Sequence, residues 1–290
     1  MDQKIIDLYD NFTHGGMNRR QVLDRLTEVA GSSAAAVALL PLLQNNYAQA
    51  AVVAPDDARF ISERASYESP KGKIHGYLVR PKAKGKRPVV LVIHENRGLN
   101  PHLEDVARRF AAEGYLAYAV DLLSLVGGTP ANEDAARDLH TKMNQDDAVA
   151  ALVAGVSFLK QHPESTGKVG AVGFCFGGLM VNRLAASSPE LDAGVAFYGR
   201  QVPAAQVPNI KAALMLNYAE TDDGVNTGIP AYEAALKANN KKYVLHTYAG
   251  TQHAFFNDTG AARYNEAPAK LAWTRTLEFY KDTLGGPVRS

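Results

Sequence analysis

The chain has 290 residues, 46% hydrophobic and 21% charged, enough apolar side chains to bury a full core. Its 31 basic and 30 acidic residues are spread throughout and leave a formal net charge of +1, which argues against a nucleic-acid partner because no basic stripe is available to collect phosphates. One cysteine excludes an internal disulfide and a cysteine-rich zinc site, so the thiol is either a small buried apolar group or a reagent.

Residues 1–52 read differently from the rest. The pair Arg19-Arg20, the small and apolar run from Gly31 to Leu43, and Ala48-Gln-Ala50 resemble a twin-arginine export signal with its cleavage site, which would place the protein in the periplasm. Asp24 and Glu28 between the arginines and the apolar run, and Asp2, Asp7 and Asp10 before them, depart from the basic character of such signals. The alternative is a cytoplasmic protein with an amphipathic helix near 17–30, followed by a small-residue helix. That pair would dock on the main domain or on a second subunit, the latter making a homodimer. The apolar run is shorter than the ~20 residues of a membrane span.

From Val53 to Ser290 one α/β domain is expected. Segments 59–68 and 74–80 alternate apolar and polar residues around Ser69-Pro-Lys-Gly72, the pattern of an antiparallel hairpin. Short continuous apolar runs at 88–94, 115–120, 168–173, 193–198, 212–217 and 243–248 suit strands covered on both faces. Helical patterns at 102–113, 132–160 with a break, 178–187, 230–238 and 268–283 separate them. This order predicts a mostly parallel sheet with helices on both faces.

Ligands of open α/β sheets bind at the carboxyl ends of strands, so the residues after each predicted strand hold the candidates. Cys175 stands in Gly173-Phe-Cys-Phe-Gly177, a nucleophile-elbow pattern with cysteine in the central place. The glycines relieve the crowding of an abrupt strand-to-helix turn, and the helix that follows directs its positive end at the thiol. Downstream, Asp222 follows one apolar strand as the candidate acid, with Asp223 a competitor that pattern alone does not separate, and His253 follows the last strand as the candidate base. The bland reading is preferred for His14, His75, His102, His140, His162 and His246, which lie away from strand ends. His94 ends a strand but precedes the cysteine.

His94-Glu-Asn-Arg-Gly98, GFCFGG, YAETD and GTQHAF together resemble the dienelactone hydrolase, or carboxymethylenebutenolidase, family of the α/β-hydrolase fold, over most of residues 60–282. The resemblance implies a Cys175–Asp222–His253 triad, Glu95 holding the resting thiol, and the amides of Asn96 and Phe176 as oxyanion hole. It implies a small ester or enol lactone as substrate, cleaved through a thioester, with no cofactor and no metal. Members that act on dienelactone hold the substrate carboxylate with arginines, one a few residues after the histidine. Here Phe255-Phe-Asn-Asp258 stands there and the next arginine is Arg263. Arg97 and Arg200 are alternative anion contacts, Tyr198 ends a strand at the same edge, and Phe255 is a candidate wall of an apolar acyl pocket. Competing classes are a redox or peroxidatic thiol protein, which would not need the oxyanion loop, acid and histidine, and a noncatalytic binding domain, which would usually have lost a triad member.

Overall fold

A computed structural model of the chain describes residues 51–286 continuously, with 19–43, 45–47 and positions 4, 5, 8, 11, 12 and 17 before them. The candidate processing sequence Ala48-Gln-Ala50, the acidic positions Asp2, Asp7 and Asp10, and His14 lie outside the described residues.

Eight strands form one sheet in the order β1-β2-β4-β3-β5-β6-β7-β8. They are β1 (Phe60–Ser69), β2 (Gly72–Pro81), β3 (Arg87–Ile93), β4 (Leu116–Asp121), β5 (Ser165–Phe174), β6 (Ala193–Phe197), β7 (Ala213–Thr221) and β8 (Tyr243–Gln252). The β1–β2 hairpin and the β2–β4 pairing are antiparallel, and every pairing from β4 through β8 is parallel. The helices are α1 (Arg19–Ala30), α2 (Ser33–Leu43), α3 (Pro101–Ala112), α4 (Glu133–Lys142), α5 (Gln145–Lys160), α6 (Phe176–Ser187), α7 (Ile229–Ala238) and α8 (Glu266–Leu284). Among the described residues, no helix is long and apolar enough to cross a membrane.

The period of two along each strand divides the core into two layers. On β3, Val89, Leu91 and Ile93 face the layer that holds Leu152 and Val156 of α5 and Met180 and Leu184 of α6. Val90 and Val92 face the layer of Phe110 from α3 and Phe279 and Tyr280 from α8. All seven β3 residues are buried, which accounts for the continuous apolar run where an edge strand would alternate.

The expected break in the 132–160 helical pattern falls at Met143-Asn144. Met143 ends α4 and Asn144 caps the start of α5, its side chain accepting from the amides of Asp146 and Asp147. The helix after the cysteine begins at Phe176, two residues earlier than its apolar pattern suggests.

The N-terminal helices pack on one another through Val22, Leu26, Ala36 and Leu43, with Ala262 of the main body against them. The Asn46 amide donates to the Thr259 carbonyl at 2.8 Å. Asn45 and Tyr47 both donate to Glu133 Oε1 at the start of α4.

Candidate active site

Sheet register assembles the site. Ile93 of β3 pairs with Gly173 of β5, so His94-Glu95 and Phe174-Cys175 leave the sheet side by side. Phe174 pairs with Phe197, which brings Tyr198 beside Cys175. At the far edge Thr221 pairs with Gln252, so the next residues, Asp222 and His253, emerge together. β7 and β8 run past the apolar stretches that define them, through the polar tails Tyr218–Thr221 and Ala249–Gln252. Those tails carry the acid and the histidine out to the site.

Cys175 turns the chain from β5 into α6 with φ 56° and ψ −113°, a conformation that costs a side-chain-bearing residue about 1–3 kcal/mol. The turn closes because its flanks lack side chains: a Cβ on Gly173 would lie 2.1 Å from the Gly177 carbonyl oxygen, and one on Gly177 would lie 2.3 Å from that of Ile93. The Cys175 amide is held by the Phe197 carbonyl at 3.0 Å, and the thiol residue is half-buried.

His253 Nδ1 lies 2.6 Å from Asp222 Oδ2, and both side chains are about nine-tenths buried, exposed 11% and 10%. Asp223 is exposed and heads a single helical turn, its carbonyl accepting from Thr227. Geometry therefore separates two carboxylates that the sequence could not. The His253 ring packs at 4.9 Å on Tyr198, another residue of positive φ (38°). The Tyr198 hydroxyl is buried without a hydrogen-bond partner among the described residues, and its pKa is raised well above the usual phenol value by burial, then by the nearby Glu95 and Cys175. Arg263 is close enough for its charge to act in the opposite direction.

Glu95 is buried. Its Oε2 accepts from Asn257 Nδ2 at 3.3 Å, and its Oε1 has no hydrogen-bond partner among the described residues. Asn257 is itself fixed, because its Oδ1 accepts from both the amide and the hydroxyl of Thr259, which leaves the amide nitrogen to face Glu95. Sequence reasoning passed over Asn257. The signal for it is its place four residues after His253, where an arginine was sought. Asp258 is anchored by Arg109 at 2.6 Å and lies 3.3 Å from His102, a histidine that reads as unremarkable in the sequence. Burial alone would raise its pKa, but His102 and Arg109 hold the carboxyl below its ordinary value, which pins the loop after His253 to α3.

Of the expected substrate contacts, Arg97 and Phe255 are engaged inside the fold and Arg200 lies at the surface. Arg97 is buried with Nε 3.5 Å from Glu133 Oε2, so its charge is already matched inside the fold. Arg200 is exposed, its guanidinium near Gly224. Phe255, expected as a pocket wall, has no accessible surface: it packs among Phe197, Tyr198 and Tyr248 and supports Tyr198 from behind.

Phe176, the residue after the thiol, is sandwiched between two imidazoles, His94 with ring centroids 6.2 Å apart and His140 at 4.4 Å. Burial lowers the His140 pKa from 6.5 to about 4. Its contribution to stability has a definite sign. Below pH 6.5 the unfolded chain takes up a proton that the folded chain refuses, so stability is full above that pH and declines as pH falls toward 4. The melting temperature is expected to drop between pH 6.5 and 4, and thermal melts of His140→Phe should show a shallower drop.

Comparison with known proteins agrees with this architecture. The model of the dienelactone hydrolase family matches residues 74–284. "Protein usf" of Aquifex pyrophilus is 35% identical over 235 residues, covering 77% of this chain and all of that protein. A Synechocystis sp. protein named "Putative carboxymethylenebutenolidase" is 32% identical over 234 residues, covering 73% and 93% of the two chains. The crystal structure of a Klebsiella pneumoniae protein described as "Putative Dienelactone Hydrolase" superposes with a TM-score of 0.69 at 29% identity, covering 76% of this chain and 98% of that one. The Pyrococcus horikoshii acylaminoacyl peptidase shares the fold at a TM-score of 0.62 and 16% identity, across 80% of this chain and 43% of its own. With two relatives above 30% identity along most of their length and a family model spanning both the elbow and the histidine loop, the chain belongs to the dienelactone hydrolase family and is a hydrolase.

Proposed function

We propose that the protein cleaves carboxylic esters or enol lactones by acyl transfer to Cys175, with His253 as base and Asp222 as its orienting acid. The observation that carries this reading is the 2.6 Å contact between His253 Nδ1 and Asp222, at the carboxyl end of the sheet from which the strained Cys175 turn also emerges. His253 removes the thiol proton as the sulfur attacks the carbonyl carbon, and the C=O electron pair moves to oxygen. That oxyanion rests on the amides of Asn96 and Phe176. Collapse forms the thioester and breaks the C–O bond, and the leaving oxygen takes the proton from His253. Water then attacks the thioester while His253 accepts its proton, releasing the acid and returning the thiol. The N-terminus of α6 favours negative charge on the sulfur throughout. Thiolate leaves more readily than an amine, so activated esters and lactones are better substrates than amides.

Glu95 Oε1, a buried acceptor without a partner, suits the resting S–H, which keeps the sulfur neutral and less open to oxidation between turnovers. The Tyr198 hydroxyl, a buried donor kept protonated by its surroundings, suits a substrate oxygen. Asn257 beside Glu95 offers no charge to a substrate carboxylate, and Arg97 is matched by Glu133. Arg263, whose charge acts at the Tyr198 hydroxyl, is the cation assigned here to a carboxylate-bearing lactone.

The test is a steady-state comparison of p-nitrophenyl acetate with a lactone bearing a free carboxylate. Arg263→Ala is expected to raise KM for the acidic lactone by about 10-fold, as for loss of one charged hydrogen bond, and to leave the neutral ester within about 2-fold. Equal effects on both substrates would remove Arg263 from recognition. Absence of turnover on any ester or lactone of the panel would remove the function itself.

A further inference from the structure

We infer that His94 is a positioning residue that aims the oxyanion hole, an inference that rests on the acyl-transfer reading above. His94 is completely buried, and both of its ring nitrogens are engaged. The Leu122 amide approaches Nε2 at 3.1 Å. A backbone N–H can only donate, so Nε2 is the lone-pair nitrogen and Nδ1 carries the proton. Nδ1 lies 2.5 Å from the carbonyl oxygen of Glu95, to which it therefore donates.

That carbonyl belongs to the same peptide unit as the Asn96 amide. The described chain has no cis peptide bond, so C=O and N–H of this unit point in opposite directions within one plane. Holding the Glu95 oxygen against the imidazole consequently holds the Asn96 N–H outward on the other side. The unit lies in a loop between the end of β3 and Gly98, itself at φ 71°, outside the ladder that fixes the peptide units of the strand.

The same ring packs on Phe176, whose amide is the second donor, while the His94 carbonyl crosses the α6 start so closely that a Cβ on Gly177 would meet it at 2.8 Å. One imidazole thus references both donors to the end of β4, where Leu122 follows Asp121 and the Leu123 amide is capped by Asp121 Oδ1 at 3.0 Å. Burial lowers the His94 pKa, so the donor tautomer persists through the neutral range.

Asparagine and glutamine separate the two nitrogens. The side-chain amide of His94→Asn can occupy the Nδ1 position and donate to Glu95, whereas His94→Gln reaches the Nε2 position and meets Leu122. Loss of an oxyanion donor costs ~10²- to 10³-fold in kcat, so His94→Phe is expected to lose that much with p-nitrophenyl acetate, with KM changed by less than ~3-fold. His94→Asn should recover to within ~10-fold of wild type and His94→Gln should not. Affinity for a trifluoromethyl ketone, which presents an oxyanion once the thiol adds, should fall in step with kcat across the series.

Unchanged kcat in His94→Phe, or equal losses in His94→Asn and His94→Gln, would overturn the inference. If His94→Phe does not fold, the asparagine–glutamine ranking still decides it. Cys175→Ala in parallel separates the two levels. Turnover surviving in Cys175→Ala removes the acyl-transfer reading, while a dead Cys175→Ala beside a fully active His94→Phe removes only the role of His94.

Discussion

Cys175→Ala is expected to lose hydrolysis of p-nitrophenyl acetate by about 10⁴-fold or more, while its melting temperature stays within about 4 °C of wild type. The two halves of this result come from different features of the turn. Stability is held by backbone: the Phe197 carbonyl receives the Cys175 amide, the Leu179 amide reaches the Cys175 carbonyl at 3.1 Å, and Gly173 and Gly177 make room for the close approach. Alanine keeps all of these and carries the same strained φ of 56°. Removing one half-buried sulfur costs on the order of 1 kcal/mol, which is a few degrees in a chain of this size. Activity has no such substitute, because the residual effect of positioned amides and binding cannot replace a covalent step. A redox thiol protein would behave differently: its esterase background would be small and indifferent to the substitution.

The second large effect separates neighbouring carboxylates. Asp222→Asn is expected to lower kcat by about 10²- to 10⁴-fold and Asp223→Asn to change it by less than about 2-fold. In the proposed mechanism Asp222 accepts from His253 Nδ1, which leaves Nε2 as the lone pair for the thiol proton. An asparagine amide can donate to Nδ1 instead, which moves the ring proton to Nε2 and removes the base. Asp223 is exposed and heads a helical turn, while the ring's Nδ1 is held by Asp222, so the charge of Asp223 is screened by solvent. Rates for both variants at one pH near neutrality suffice. The reverse ranking would assign the acid to Asp223.

What was legible in the sequence was local. Alternation marks β1 and β2, and the continuous apolar runs mark β3 to β7, because a strand buried on both faces leaves no polar positions to blur it. The run at 243–248 also marks a strand, but β8 is an edge strand with only Tyr248 of that run buried, not one covered on both faces. The elbow was legible because its glycines answer a steric demand that acts within five residues. Register was not legible, and register is what sets Asp222 next to His253 and Tyr198 next to Cys175. The strand tails 218–221 and 249–252 escaped for a related reason: they extend past the neighbouring strands, are largely polar, and read as loops. Pairings across long stretches of chain were hidden as well. In sequence Arg97 reads as an anion clamp, but Glu133 stands against it, and Phe255 reads as a pocket wall, but Phe197, Tyr198 and Tyr248 enclose its ring. His94 ends a strand in plain view. Its engagement depends on the Leu122 amide, which no pattern in the sequence around it announces.

The central claim is that the sulfur of Cys175 becomes acylated during turnover. Rapid mixing with an excess of an activated ester or enol lactone, acid quenching within the first turnover, and mass spectrometry of the digested chain test it directly. The expected result is the substrate's acyl mass on the peptide containing Cys175 in the wild-type enzyme at early quench times, and its absence from Cys175→Ala. Product formation with an unmodified Cys175 peptide at every quench time, or an acyl group carried elsewhere in the chain, would contradict it.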